Sequence, residues 1–187
     1  HISTDYVFDG ESEMPYKTDD KTGPISMYGI SKLKGEELCK KENSDAIIIR
    51  TAWVYSEFGN NFVKTMIRLM KERPEIKVVS DQIGAPTYAA DLAKACLDII
   101  DSGKWQSGIY HYSNTGKISW YDFAVAIKEM IGSSCIVHPI PTTDYPTPAK
   151  RPKFSLLDTT KIRSVFGVQI PEWRESLQKC VGRLLMN

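Results

Sequence analysis

Four cysteines in 187 residues are few, and they stand far apart: Cys39, Cys96, Cys135 and Cys180 form no CxxC pair and no Cys/His cluster. Such spacing reads as four small apolar side chains, expected to be buried. Histidine is rarer still. His1 stands at the start, and His111 and His138 fall in expected strands, so no metal site is expected from them. No sign of charge dominates either: 24 Lys and Arg against 23 Asp and Glu, spread along the whole chain, give a formal net charge of +1. That balance gives no reason to expect nucleic acid or an anionic membrane as partner. Long hydrophobic runs are also missing. The strongest, residues 46–49 and 93–100, fall well short of the roughly 20 apolar residues of a spanning helix. With no charged-plus-apolar leader in these residues, a soluble cytoplasmic protein is expected.

What is present can build a core, since 42% of the residues are hydrophobic and the length suffices for one domain or one and a half. Residues 2–8 read as the end of a strand running into a polar loop over 9–26, and a Lys-, Glu- and Leu-rich helix follows over 28–41. Residues 46–50 are a β-branched run suited to a buried parallel strand. An amphipathic helix over 60–72, with Phe62, Val63, Met66, Ile67 and Met70 at helical spacing, ends before Pro74. Then come a strand at 76–79, a helix at 89–102 and a strand at 108–112. Ser119 is the expected N-cap of a helix over 119–131, with Asp122 completing a capping box. An extended piece at 135–138, a proline-rich loop at 139–152, and helices at 159–165 and 171–185 close the chain. Alternating strand and helix is the pattern of a parallel α/β sheet, and the proline-rich stretch suggests a smaller appended lobe at roughly residues 135–160.

Tyr28 and Lys32 lie four apart on the first helix, on one face with Cβ atoms about 6 Å apart. An ammonium beside a phenol favours the phenolate, which suits a tyrosine to proton transfer with a carbonyl or alcohol oxygen. A hydroxyl such as that of Thr4, on the strand before, can hold the same oxygen in line. The pair alone reads equally as a surface tyrosine beside a solvated lysine. Its context differs: Ser3, Thr4, Asp5, Tyr6, Val7 and Phe8 end the strand, and Pro24, Tyr28, Gly29, Ser31, Lys32, Gly35 and Glu36 open the helix.

This combination resembles the extended short-chain dehydrogenase/reductase family, and within it the dTDP-4-dehydrorhamnose reductase branch. The resemblance continues through Arg50-Thr51-Ala52-Trp53-Val54-Tyr55, through Asp81, Gln82, Gly84, Pro86 and Thr87 followed by Asp91-Leu92-Ala93, and through Arg151, Pro152, Ser155, Leu157 and Asp158. It implies an α/β fold: the C-terminal part of a Rossmann-like doubly wound parallel sheet with a smaller mixed α/β substrate-binding lobe. It also implies reduction of the C4 keto group of dTDP-4-dehydro-L-rhamnose with NADPH or NADH. Thr4 then orients the carbonyl, Tyr28 donates the proton, and Lys32 tunes Tyr28 and binds the nicotinamide ribose. Thr51, with Tyr28 and Lys32, becomes a cofactor contact; Trp53, Gln82, Thr87 and Arg151 become substrate contacts, with Lys150 and Lys153 adding positive potential. The carboxyl ends of parallel strands are where ligands bind, which agrees with the place of Trp53, Gln82 and Thr87. Gly84 reads either as room for a ligand or as a plain turn. If the strand alternates, Asp5 points away from Thr4, which favours a structural role. The resemblance leaves a homodimer and an unplaced Mg²⁺ open.

One feature of such a family is missing. A dinucleotide-binding sheet needs a Gly-rich turn between its first strand and helix, where amides meet the pyrophosphate. None of the 12 glycines forms one. The sequence therefore reads as a fragment without its N-terminal cofactor-binding half, expected to be inactive alone. Two alternatives remain: a nucleotide-sugar epimerase or dehydratase holding NAD, and a non-catalytic subunit of the methionine adenosyltransferase regulatory type.

Overall fold

The computed structural model describes residues 1–146 and 151–186. In chain order the elements are β1 (Ile2–Thr4), α1 (Met27–Glu42), β2 (Ile47–Thr51), β3 (Val54–Tyr55), α2 (Phe62–Glu72), β4 (Glu75–Val79), β5 (Ile83–Gly84), β6 (Thr87–Tyr88), α3 (Ala89–Asp101), β7 (Gly108–His111), β8 (Ile118–Ser119), α4 (Trp120–Met130), β9 (Ile136–Ile140), α5 (Thr160–Phe166) and α6 (Trp173–Met186). Two 3-10 turns, Asp5–Val7 and Thr142–Asp144, fall between them.

The main sheet has the order β1-β2-β7, all parallel, with Thr4 beside Thr51 and Arg50 beside His111. Its central strand is the β-branched run read from the sequence, and all five residues of β2 are buried, as a parallel strand covered on both faces requires. Ile47, Ile49 and Tyr110 from this sheet pack with Leu92 and Ile99 of α3 and Ile162 and Phe166 of α5. A second core joins α2, α4 and α6, with Val63, Met66, Ile127 and Leu177 at its centre, to Ile76 and Val78 of β4.

Helix ends follow local chemistry. Asn61 caps α2, its side-chain oxygen accepting from the Lys64 N–H at 3.2 Å. Ser119 and Asp122 form the capping box expected at α4. Three details depart from the sequence reading. Residue 139 was expected in a loop, yet β9 runs through Pro139, which pairs with Val78 in a two-stranded ribbon. Proline is tolerated there because the strand has a free side. Cys135 and Cys180 are buried, whereas Cys39 and Cys96, on α1 and α3, are only half-buried. The extended run from Ile2 stops at Thr4, where the chain folds into the Asp5–Val7 turn. Among the described residues no helix is long and apolar enough to cross a membrane.

Candidate active site

The turn after β1 exists because the Thr4 side chain caps it: Tyr6 N–H donates to Thr4 Oγ1 at 3.3 Å. A 3-10 turn breaks the two-residue alternation of a strand, so Asp5 does not point away from Thr4. The Thr4 hydroxyl instead donates to Asp5 Oδ1 at 3.0 Å, which corrects the orientation expected for Asp5.

The helix that carries Tyr28 is seated on this same turn. Ser26 caps α1, its hydroxyl accepting from the Gly29 N–H at 3.2 Å. Gly29 then lies so close to the turn that a Cβ on it would stand 2.2 Å from the Tyr6 carbonyl oxygen. The absent side chain lets Tyr28 approach Tyr6, and the two rings meet edge to face at 5.6 Å. Tyr28 is 55% exposed at the rim. One turn on, Lys32 Nζ donates to the Ile2 carbonyl at 2.7 Å and ties the helix to β1. Gly29→Ala sets a methyl against backbone, so α1 must shift; in the full-length polypeptide any turnover that depends on Tyr28 is expected to fall by about 10²-fold from such a displacement, with a folded protein by circular dichroism.

Beneath the site the same helix is held by charge. Glu36 is fully buried and forms a two-point ion pair with Arg50 of β2, Nε to Oε1 at 2.9 Å and Nη2 to Oε2 at 2.7 Å. Ser3 donates to Oε1 at 2.5 Å. The guanidinium also lies 5.0 Å from the Phe8 ring centre. Next to it, His111 donates from Nδ1 to the Tyr16 carbonyl at 3.0 Å. Burial, then the positive charge of Arg50, push His111 down to about 4, so it is neutral near pH 7.

Two cavities open above these elements. The first, about 420 Å³, is lined by Thr4, Asp5, Tyr28, Thr51, Trp53 and Arg151 among others. The second, about 310 Å³, is lined by Phe62, Lys77, Gln82, Trp120, Tyr145 and Arg151 among others, so Arg151 borders both. Both volumes are of the size that holds a small molecule. Trp53 of the first cavity is stacked on Trp120 of the second, with ring centres 3.7 Å apart and planes 12° apart. Trp53 has a φ of 51°, a left-handed conformation costly for a bulky residue and held here by its packing. The stack explains Gly84: a Cβ there would lie 2.8 Å from the Trp53 ring and 2.6 Å from Ser155 Oγ. The close approach that Gly84 permits is therefore to Trp53 and Ser155.

The remaining expected residues divide. Thr51 reaches the first cavity and donates to Thr87 Oγ1 at 3.1 Å. Thr87 is fully buried and lines neither of the two cavities, so its hydroxyl supports Thr51 from behind. Gln82 reaches the second cavity and donates to Thr142 Oγ1 at 3.1 Å. Lys153 is exposed, and Lys150 lies outside the described residues. The sequence reading missed the aromatic wall of Phe62, Trp120 and Tyr145, which looks like ordinary core periodicity or loop composition. It quoted Glu36 and Arg50 without a role, although an arginine inside an apolar parallel strand is a signal that a buried acid must meet it. Among the described residues no cluster of His, Cys, Asp or Glu could hold a metal ion.

Comparison with known proteins places this geometry. The sequence model of the RmlD substrate binding domain matches residues 1–186. The chain is 44% identical over 195 residues to the dTDP-4-dehydrorhamnose reductase of Sinorhizobium fredii, covering 100% of this chain and 66% of that protein. Among solved structures, it is similar to a dTDP-4-dehydrorhamnose reductase from Clostridium acetobutylicum, with 46% identity and a TM-score of 0.95 over 99% of this chain and 65% of the other. It is also similar to the Bacillus anthracis dTDP-4-dehydrorhamnose reductase in complex with NADP, with 43% identity and a TM-score of 0.92 over 98% and 64%. The chain thus spans just under two thirds of the length of these relatives.

Proposed function

Because the chain belongs to the RmlD substrate binding domain family, we propose that it supplies the proton-transfer and sugar-binding residues of an NADPH-dependent reductase. The reaction proposed is conversion of the C4 ketone of dTDP-4-dehydro-L-rhamnose to the alcohol of dTDP-L-rhamnose. The observation that carries this reading is the convergence of Thr4 and Tyr28 on one cavity, which meets a second, aromatic-walled cavity at Arg151.

In this arrangement the ketone lies in the first cavity, with its oxygen between the Thr4 and Tyr28 hydroxyls. Tyr28 donates its proton to that oxygen as the carbonyl is reduced, and Thr4 holds the oxygen by a hydrogen bond. Lys32, tied to Ile2, keeps a positive charge one helical turn from Tyr28. Arg151 suits the diphosphate because a guanidinium can meet phosphate oxygens with two parallel N–H donors. The nucleoside occupies the second cavity, where Phe62 and Trp120 offer ring faces and Lys77 and Gln82 offer polar groups.

The nicotinamide end of the cofactor is assigned to the first cavity, which Tyr28 and Thr51 line, with Lys32 one helical turn beyond Tyr28 on α1. A bound NADPH supplies hydride to the carbonyl carbon. The NADP complex of the Bacillus anthracis relative supports NADPH as the donor. No glycine-rich phosphate turn is present in these residues, so turnover is proposed for the full-length polypeptide and not for this stretch alone. A cytoplasmic location and a homodimer belong to the same proposal.

The test is an assay of the full-length polypeptide with dTDP-4-dehydro-L-rhamnose. Stoichiometric oxidation of NADPH is the expected outcome. Interconversion of nucleotide sugars without net NADPH consumption would point instead to an epimerase or dehydratase. Stable co-purification with a methionine adenosyltransferase, without reduction of any keto sugar, would point to a regulatory subunit.

A further inference from the structure

A threonine hydroxyl has one proton to give and two lone pairs to receive with. At Thr4 the proton is committed, donated to Asp5 Oδ1 at 3.0 Å, and one lone pair receives the Tyr6 N–H at 3.3 Å. A Thr4 so engaged has no proton left for a ketone oxygen. Asp5 itself is only 3% exposed, and its second oxygen, Oδ2, is buried without a hydrogen-bond partner. Ser155, whose hydroxyl bears on this carboxyl, donates to the Ile83 carbonyl at 3.4 Å.

We propose that Asp5 is a positioning residue that must be protonated for reduction, because only its O–H can donate to Thr4 Oγ1 and turn the Thr4 proton toward the substrate oxygen. In that state every hydrogen-bonding capacity of Thr4 is used: it receives from Tyr6 and Asp5 and donates to the ketone. With Asp5 ionised, Thr4 turns back to the carboxylate and leaves the ketone to Tyr28 alone. The inference rests on the reductase reading.

The surroundings favour the protonated form. Burial, the largest influence, raises the Asp5 carboxyl to about 7, against the lowering effect of hydrogen bonds led by that from Thr4. Around it, Tyr6 shares its turn, Tyr28 and Lys32 stand on α1, and Arg151 borders the same cavity from the far loop. On β2, the Arg50 charge is matched by Glu36. The sign follows directly. Asp5 holds its proton below about pH 7, so the reduction step is fastest there and slows as pH rises through that value.

The experiment measures single-turnover reduction by the full-length protein across pH, for the native sequence and for Asp5→Asn. An asparagine amide donates to Thr4 at any pH, so the ratio of the Asp5→Asn rate to the native rate is expected to rise about tenfold between about pH 6 and about pH 8. In a Thr4→Val background the same exchange is expected to leave the pH profile unmoved, which a merely structural Asp5 would not predict. Parallel profiles for Asp5→Asn and the native protein would overturn the inference and leave the reductase reading intact. No reduction of any keto sugar by the native protein would overturn both. Should Asp5→Asn fail to fold, a carbon-13 titration of the aspartate carboxyls in the native protein decides. A buried carboxyl titrating near 7 supports the inference, and complete ionisation of all of them by about pH 5 overturns it.

Discussion

Replacing Tyr28 by phenylalanine in the full-length polypeptide is expected to lower kcat by about 10²–10⁴, with little change in KM. Only the hydroxyl is lost. The ring contact with Tyr6 at 5.6 Å, the Ser26 cap and the Lys32 link to Ile2 do not use it, so α1 keeps its seat. On the proposed reading substrate binding rests on Arg151 and the second cavity, so it is also kept. In the proposed site the ketone oxygen is then left with Thr4, which can hydrogen-bond but cannot complete the proton transfer. Separate determination of kcat and KM, beside an unfolding curve, checks this. A variant that reduces at the native rate would remove Tyr28 from its role as proton donor.

Removing the acid from the buried pair acts on the frame instead. Glu36→Ala is expected to destabilise the fold by about 3–5 kcal/mol, because it leaves the Arg50 guanidinium buried and unpaired. That is a large part of the roughly 5–15 kcal/mol by which domains are stable. Arg50 and Glu36 are 3% and 2% exposed in their side chains, so water can do little to replace the lost partner. Ser3 loses its acceptor as well. Pairing Glu36→Ala with Arg50→Met is expected to recover much of the loss, since the charge that needed a partner is gone. Urea unfolding of the two single variants and the double variant reads the coupling. A loss in the double variant equal to the sum of the two single losses would contradict a buried pair that joins α1 to the sheet.

Much of this frame was legible because periodicity and composition carried it. The run at 46–50 had one reading as a buried strand, and Ser119 with Asp122 announced the start of α4. Thr4, Tyr28 and Thr51, which line the first cavity, were legible for a different reason: with Lys32 they fell within motifs that resemblance tied together. The failures share a physical cause, since each depends on contacts between distant segments or on a local break in regularity. A 3-10 turn of three residues has no period to detect, so Asp5 was set on the wrong side of Thr4. Strands of two residues, β3 with β6 and β5 with β8, leave no alternation to read. The partnership of Trp53 with Trp120 spans 67 positions, and the φ of 51° at Trp53 follows from no local rule. Gly84 was seen as special, but the ring it makes room for lies on another segment.

The most direct test follows the transferred hydrogen. The full-length polypeptide is given dTDP-4-dehydro-L-rhamnose and NADPH carrying deuterium at the transferring position of the nicotinamide, and the product sugar is analysed by mass and NMR. Deuterium at C4 of the 6-deoxyhexose, in stoichiometric amount and lost when Tyr28 is phenylalanine, is the result predicted. A product without deuterium at C4, or equal labelling rates with Tyr28→Phe, would contradict a reductase that protonates its ketone from Tyr28.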